Sequence, residues 1–173
     1  MAPYGQAVYF QDEMRFGTRT DLKRRWTPQG HRPKAPQQIG YQFSYLYLAI
    51  CPFSGQAFAM LLPQMSKECF SLFLEAFNEE LSQKTLLILD KASTHQAQLA
   101  ENTQLVLQHL PTACPELNVV ERFFKEVRKQ LANMIFPSLE YAEQKLTHIV
   151  EQLTQNTDKL IQLTLFPYLK NAH

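Results

Sequence analysis

The sequence predicts an α/β fold in which helices flank a mixed central sheet. Three observations carry this. The run Thr85-Leu-Leu-Ile-Leu-Asp90 has no charge before its final acid and reads as a fully buried strand. A β-hairpin pattern and an amphipathic helix precede it, giving a passage long enough for a right-handed crossover onto a parallel neighbour. Apolar residues at helical spacing then dominate the last third of the chain.

Taken in order, Ala7-Val-Tyr-Phe-Gln-Asp12-Glu13 reads as a strand that ends in two acids. Period two sets Val8, Phe10 and Asp12 on one face and Tyr9, Gln11 and Glu13 on the other. The next stretch, Arg15 to Lys34, holds seven basic residues against Asp21 alone, although the whole chain nets only +1. Gly17, Pro28, Gly30 and Pro33 argue for a loop or irregular hairpin there. Solvation is the ordinary role of such a loop. Trp26 beside Arg24 and Arg25 adds a second reading, contact with phosphates and a stacked base.

Ile39 to Cys51 is a long β-type run, Pro52-Phe-Ser-Gly55 a turn, and Gln56 to Leu62 its hairpin partner. Ser66 is placed to cap a helix whose stripe is Phe70, Phe73, Leu74, Phe77 and Leu81, with Glu75, Glu79 and Glu80 on the wet side. After the 85–90 strand, Leu105 to Leu110 reads as another short buried strand. Pro111 and Pro115 bracket a loop before a helix from about Asn118 to Leu131. Ser138 caps a further helix, and a last one runs from Thr157 to about Leu165.

The 173 residues, 45% hydrophobic and 19% charged, suit one globular domain with a real core. Neither repeat nor linker divides it. Cys51, Cys69 and Cys114 form no metal or disulfide pattern, and Cys51 and Cys69 read as buried thiols of a reducing compartment. No signal peptide or apolar run of membrane length is present, so a soluble, cytoplasmic protein is expected.

Three acids stand at element ends: Asp12, Asp90 and Glu121. If the first and fourth strands are neighbours, Asp12 and Asp90 project side by side, and the helix after Asn118 brings Glu121 to them. Each has a plainer reading. Asp90 could only start a turn, and Glu121 could reach back to the Asn118 amide as a capping box. Together they make a set of oxygen ligands for divalent cations, and two such ions serve in-line phosphoryl displacement.

On these residues the chain resembles the catalytic domain of a DDE transposase of the mariner-like superfamily. Within it, the likeness is to the bacterial insertion-sequence branch called the six-thirty group. Phe10-Gln-Asp12-Glu13 resembles the first Asp-Glu signature, and Arg25-Trp26-Thr-Pro-Gln-Gly30-His-Arg-Pro33 the Trp…Gly…Pro segment after it. Leu87-Ile-Leu-Asp90-Lys-Ala-Ser-Thr-His95 resembles the second signature, Asp-Asn-x-x-x-His. Leu110-Pro-Thr-Ala-Cys-Pro115-Glu-Leu-Asn118-Val-Val-Glu121 resembles the third. Lys91 stands where the family has Asn, Val119 where it has Pro and Phe124 where it has Trp.

The resemblance implies a ribonuclease H-like fold, with Asp12, Asp90 and Glu121 as catalytic residues binding two Mg²⁺ or Mn²⁺ ions. Glu13, Lys91, His95 and Asn118 are expected to support the site. A structural hydrogen bond to the turn is an equal reading of His95. The expected partner is DNA, both transposon terminal inverted repeats and target. Contacts are expected from Arg19, Lys23, Arg24, Arg25, Trp26, Arg32 and Lys34, and from Arg122, Lys125, Arg128 and Lys129. The helix-turn-helix modules that family members carry before this domain are expected in a separate reading frame, and the assembly is expected to be a homodimer. A catalytically silent DNA- or protein-binding remnant of a transposase is the alternative.

Overall fold

The computed structural model describes residues 7–23, 26–31, 34, 37–92, 95, 97–112 and 114–170. Five strands form one sheet: β1 (Ala7–Gly17), β2 (Phe43–Cys51), β3 (Gln56–Leu62), β4 (Thr85–Leu89) and β5 (Leu105–His109). Their order is β3-β2-β1-β4-β5. The hairpin strands pair antiparallel, while β1 with β4 and β4 with β5 pair parallel, so the sheet is mixed as expected.

Helix α1 (Lys67–Glu79) crosses one face between β3 and β4. Ser66 caps it, its hydroxyl accepting from the Cys69 amide at 3.2 Å. Cys69, Phe70, Phe73, Leu74 and Phe77 are its buried stripe, packed on Tyr9, Tyr47, Leu87 and Leu89. On the opposite face lie α2 (Val120–Leu131), α3 (Leu139–Thr154), α4 (Thr157–Thr164) and the single turn α5 (Pro167–Lys170). There Phe10, Met14, Leu48 and Ile50 meet Val120, Phe123, Phe124, Val127, Leu146 and Ile149. Among the described residues no helix is long and apolar enough to cross a membrane. Cys51 and Cys69 are buried free thiols.

Three local expectations change. Strand β1 runs past Asp12 and Glu13 to Gly17, because Met14 and Phe16 keep the alternation going and pair with Leu46 and Ser44 of β2. Arg15 therefore belongs to a strand, its guanidinium lying over the Phe43 ring. Conversely β2 starts at Phe43 rather than Ile39, and Ile39 and Tyr41 are left exposed. Finally, β5 is half exposed at Val106 and Gln108, because it is an edge strand covered on one face only.

The basic connection between β1 and β2 is anchored at its start. The Thr18 and Thr20 amides donate to the Gln42 and Gln38 carbonyls, extending the hairpin beyond its strands. Asn133, in the left-handed region at φ 61 just after α2, donates its amide to the Asp21 carbonyl, and its side-chain oxygen accepts from the Lys23 amide. The segment thus leaves the sheet beside the C-terminal end of α2.

Candidate active site

Strand β1 is the central strand, and the acids sit where its parallel neighbour stops. The β1–β4 register pairs Phe10 with Ile88. Two residues further on, that register sets Asp12 alongside Asp90, the first residue beyond β4. Asp12 is mid-strand in β1 but lies at the carboxyl end of the parallel pair, where open α/β sheets receive ligands.

Glu121 arrives from the helix layer. A 3-10 turn at Pro115–Leu117 leads into Asn118, which is buried between strand and helix. Its Nδ2 donates to the Gln11 carbonyl at 2.9 Å, and its Oδ1 accepts from the Val120 amide at 3.2 Å. One side chain therefore holds the first amide of α2 and ties the helix to β1 at the residue before Asp12. Glu121 makes no capping box; its Oε2 instead accepts from Arg128 Nη1 at 3.4 Å.

Asp12, Asp90 and Glu121 line one cleft of about 210 Å³, walled by Leu110, Pro111, Thr112, Cys114 and Pro115, with Lys91 and Asn118 also on its surface. The electrostatics register the convergence. Burial pushes the Asp12 carboxyl up to about 7, against a hydrogen bond from the Glu13 amide, and the charges of Glu13, Glu121 and Asp90 push it the same way. Hard oxygen donors crowded until one resists ionisation are a donor set that suits a divalent cation such as Mg²⁺ or Mn²⁺. Among the described residues no three His, Cys, Asp or Glu side chains already converge on one ion position.

Two of the expected supporting residues face away from the cleft. His95 is completely buried, its Nδ1 donating to the Asp90 carbonyl at 3.1 Å and to Asp90 Oδ1 at 2.9 Å. Its Nε2 donates to Glu13 Oε1 at 2.9 Å. Burial alone would depress the imidazole, but these bonds to Asp90 and Glu13 outweigh it and raise His95 to about 10. The His95 bond in turn holds Asp90 below the usual carboxylate range. His95 therefore does not present a free nitrogen to substrate. Lys91 is exposed at the cleft and makes no ion pair among the described residues.

Beside the cleft, and sharing Asn118 and Glu121 with it, runs a groove lined by Arg122, Lys125, Arg128 and Phe166. Arg122 lies over the Phe166 ring and Arg128 over Phe124. Lys129 is not part of this groove and pairs with Glu126. Arg19, Lys23, Trp26 and Lys34 are exposed, Trp26 fully so; Arg24, Arg25 and Arg32 fall outside the described residues. Two features lie outside the sequence expectations: Phe123 is buried in the core, and the Tyr168 hydroxyl donates to the Leu117 carbonyl at 2.9 Å. The aromatic pair around Pro167 was the available signal for the latter.

The sequence profile of a family described as DDE superfamily endonuclease matches residues 7–141. The chain belongs to the DDE superfamily of endonucleases. A protein of Sinorhizobium fredii named "Uncharacterized protein y4pE/y4sA" is 31% identical over 98 residues, which cover 54% of this chain and 73% of that one. Among solved structures, the Mos1 strand transfer complex matches 91% of this DDE chain and 54% of its own, with a TM-score of 0.65 and 15% identity. The Mos1 mariner paired end complex with Mn matches 90% of this chain and 50% of its own, with a TM-score of 0.66 and 16% identity. The chain spans about half the length of these Mos1 chains, and the shared fold is ribonuclease H-like.

Proposed function

We propose that this domain is the catalytic part of a transposase, cutting DNA at the ends of a mobile element and joining those ends to target DNA. The observation that carries this is the meeting of Asp12, Asp90 and Glu121, from two strands and a helix, in one cleft. We assign these three as ligands of two Mg²⁺ or Mn²⁺ ions. When bound, such ions polarise the attacking and leaving oxygens of an in-line displacement.

The chain's own residues do the rest. Asp12 would ionise and serve as a ligand once bound cations offset the negative charge of Glu13, Glu121 and Asp90 around it. Asn118 holds the α2 end against β1 so that Glu121 stays beside Asp12. Lys91 contacts a phosphate of the bound strand, and Arg122, Lys125 and Arg128 track the backbone away from the cleft. Terminal repeats are read by helix-turn-helix modules separate from these elements. The working assembly is a homodimer on DNA, placed at the nucleoid of a bacterial cell.

The test is nicking of duplex DNA carrying the element's ends, with Mg²⁺ or Mn²⁺ and then with chelator. Cleavage that disappears with the metal, and in Asp12→Ala, Asp90→Ala and Glu121→Ala variants that still melt cooperatively, supports the proposal. Cleavage retained in any of the three sinks the ligand assignment. The second reading, a silent DNA-binding remnant, is favoured by Lys91 at the cleft; it predicts no Mn²⁺ binding at millimolar concentration with all three acids intact.

Trp26 offers an independent check of the DNA face. Its side chain contributes nothing to the core, so Trp26→Ala is expected to leave the melting temperature unchanged. Loss of one stacked base would weaken DNA binding by about 1–3 kcal/mol, roughly 5- to 150-fold. Unchanged affinity in a fluorescence-anisotropy titration would remove Trp26 from the interface.

A further inference from the structure

The proposed chemistry uses Asp12 and leaves its neighbour Glu13 unexplained. Strand parity turns Glu13 to the α1 face, where its side chain is only 5% exposed. A carboxylate in such a place destabilises the fold unless it is paired and hydrogen-bonded. Glu13 is both: Oε1 accepts from His95 Nε2 at 2.9 Å and from Gln11 Nε2 at 2.9 Å.

His95 is fixed from every side. Phe70 packs on the imidazole with ring centroids 4.5 Å apart, the His95 amide donates to the Ala92 carbonyl, and its own carbonyl accepts from His109 Nε2 at 2.9 Å. Its remaining nitrogen, Nδ1, grips both the carbonyl and Oδ1 of Asp90. The second carboxylate oxygen of Asp90 has no hydrogen-bond partner among the described residues, and Asp90 lines the cleft.

We propose that Glu13 and His95 form an orienting relay in which Glu13 locks the imidazole, the imidazole locks Oδ1 of Asp90, and the other carboxylate oxygen is thereby held toward the cleft for a divalent cation. Both are positioning residues, and neither is a ligand. A histidine that merely closed the turn would be satisfied by the Asp90 and Ala92 backbone, with no call for a buried carboxylate at its far nitrogen. Outer partners of this kind, which fix a ligand's orientation, commonly change metal affinity 10- to 100-fold when removed.

The inference rests on the assignment of Asp90 as a metal ligand, and the experiment separates the two. Mn²⁺ affinity is measured from the loss of the free-ion electron paramagnetic resonance signal, without DNA, for wild type, Asp90→Ala, Glu13→Ala, Glu13→Asp and Glu13→Gln, with thermal melts alongside. Glu13→Ala should weaken Mn²⁺ binding about 10- to 100-fold. Glu13→Gln should stay within about threefold of wild type, since its amide oxygen can accept the same bond. Glu13→Asp keeps the charge but withdraws it by one methylene; it should weaken binding about tenfold, and covers the case in which Glu13→Ala does not fold. Wild-type affinity in Glu13→Ala or Glu13→Asp, with Asp90→Ala weak, overturns the relay alone, as does a Glu13→Gln variant as weak as Glu13→Ala. Wild-type affinity in Asp90→Ala overturns the ligand assignment and the relay with it.

Discussion

Asp12→Asn is expected to make the metal-free domain more stable at pH 8 while lowering metal-dependent DNA cleavage by on the order of 10³-fold or more. Asp12 titrates at about 7 in the folded chain against 3.8 for an ordinary aspartate. Between these values the folded state holds a proton that the unfolded chain has released, so stability falls as pH rises through the window. Three units correspond to about 4 kcal/mol, an upper figure given how readily a cleft admits water. Asparagine removes the charge and keeps an oxygen to accept from the Glu13 amide.

His95 and Asp90, the other shifted groups beside Asp12, shape the rest of the curve. His95, raised from 6.5 to about 10, contributes stability that is complete below 6.5 and is lost as pH rises through 10. Asp90, depressed below 3.8, contributes stability present above that value and lost as pH falls through its folded pKa. Thermal melts of the metal-free wild type should therefore peak at about pH 4 and decline from there toward pH 9. In Asp12→Asn the decline between 4 and 7 should flatten, leaving the His95 limb. A variant that tracks wild type in parallel across that window would show that Asp12 is not the strained group.

Asn118→Ala carries the second large effect, and it couples stability to activity. The buried amide donates to Gln11 and accepts from Val120, so alanine removes a hydrogen bond from the Gln11 carbonyl and from a helix-terminal N–H at a buried junction. The lost bonds and the penalty at their former partners amount to about 3 kcal/mol. For a chain of this size that is a fall of roughly 6–12 °C in melting temperature. Cleavage should drop further than unfolding explains, because Glu121 loses the clamp that sets α2 beside Asp12. Assays well below the variant's midpoint test this. Full activity there would mean that α2 finds its place without Asn118.

Much of this was legible from residue order. The uncharged run before Asp90 announced a buried strand, Ser66 and Ser138 announced helix starts, and both caps form, the hydroxyls accepting from the Cys69 and Tyr141 amides. These are short-range effects: a hydroxyl can satisfy only the donors within one turn of it, whatever surrounds them. The three signatures at Asp12, Asp90 and Asn118–Glu121 also named the residues that now share a cleft.

Partnership was not legible. Glu13 and His95 are 82 residues apart, and only the parallel pairing of β1 with β4 makes them neighbours. Glu121 had capping-box spacing, yet its side chain points to Arg128, because the Asn118 amide already donates to the Pro115 carbonyl. Edge status, which left β5 half exposed, is likewise a property of the sheet rather than of Leu105–His109. The sequence by itself determined which acids were present and which elements carried them, since periodicity and capping act over a few residues. Tertiary structure alone decided that Asp12 lies where β4 ends, that burial and like charge raise its pKa, and that the adjacent Glu13 turns away to grip His95. Those outcomes depend on distances across the sheet, which no local pattern encodes.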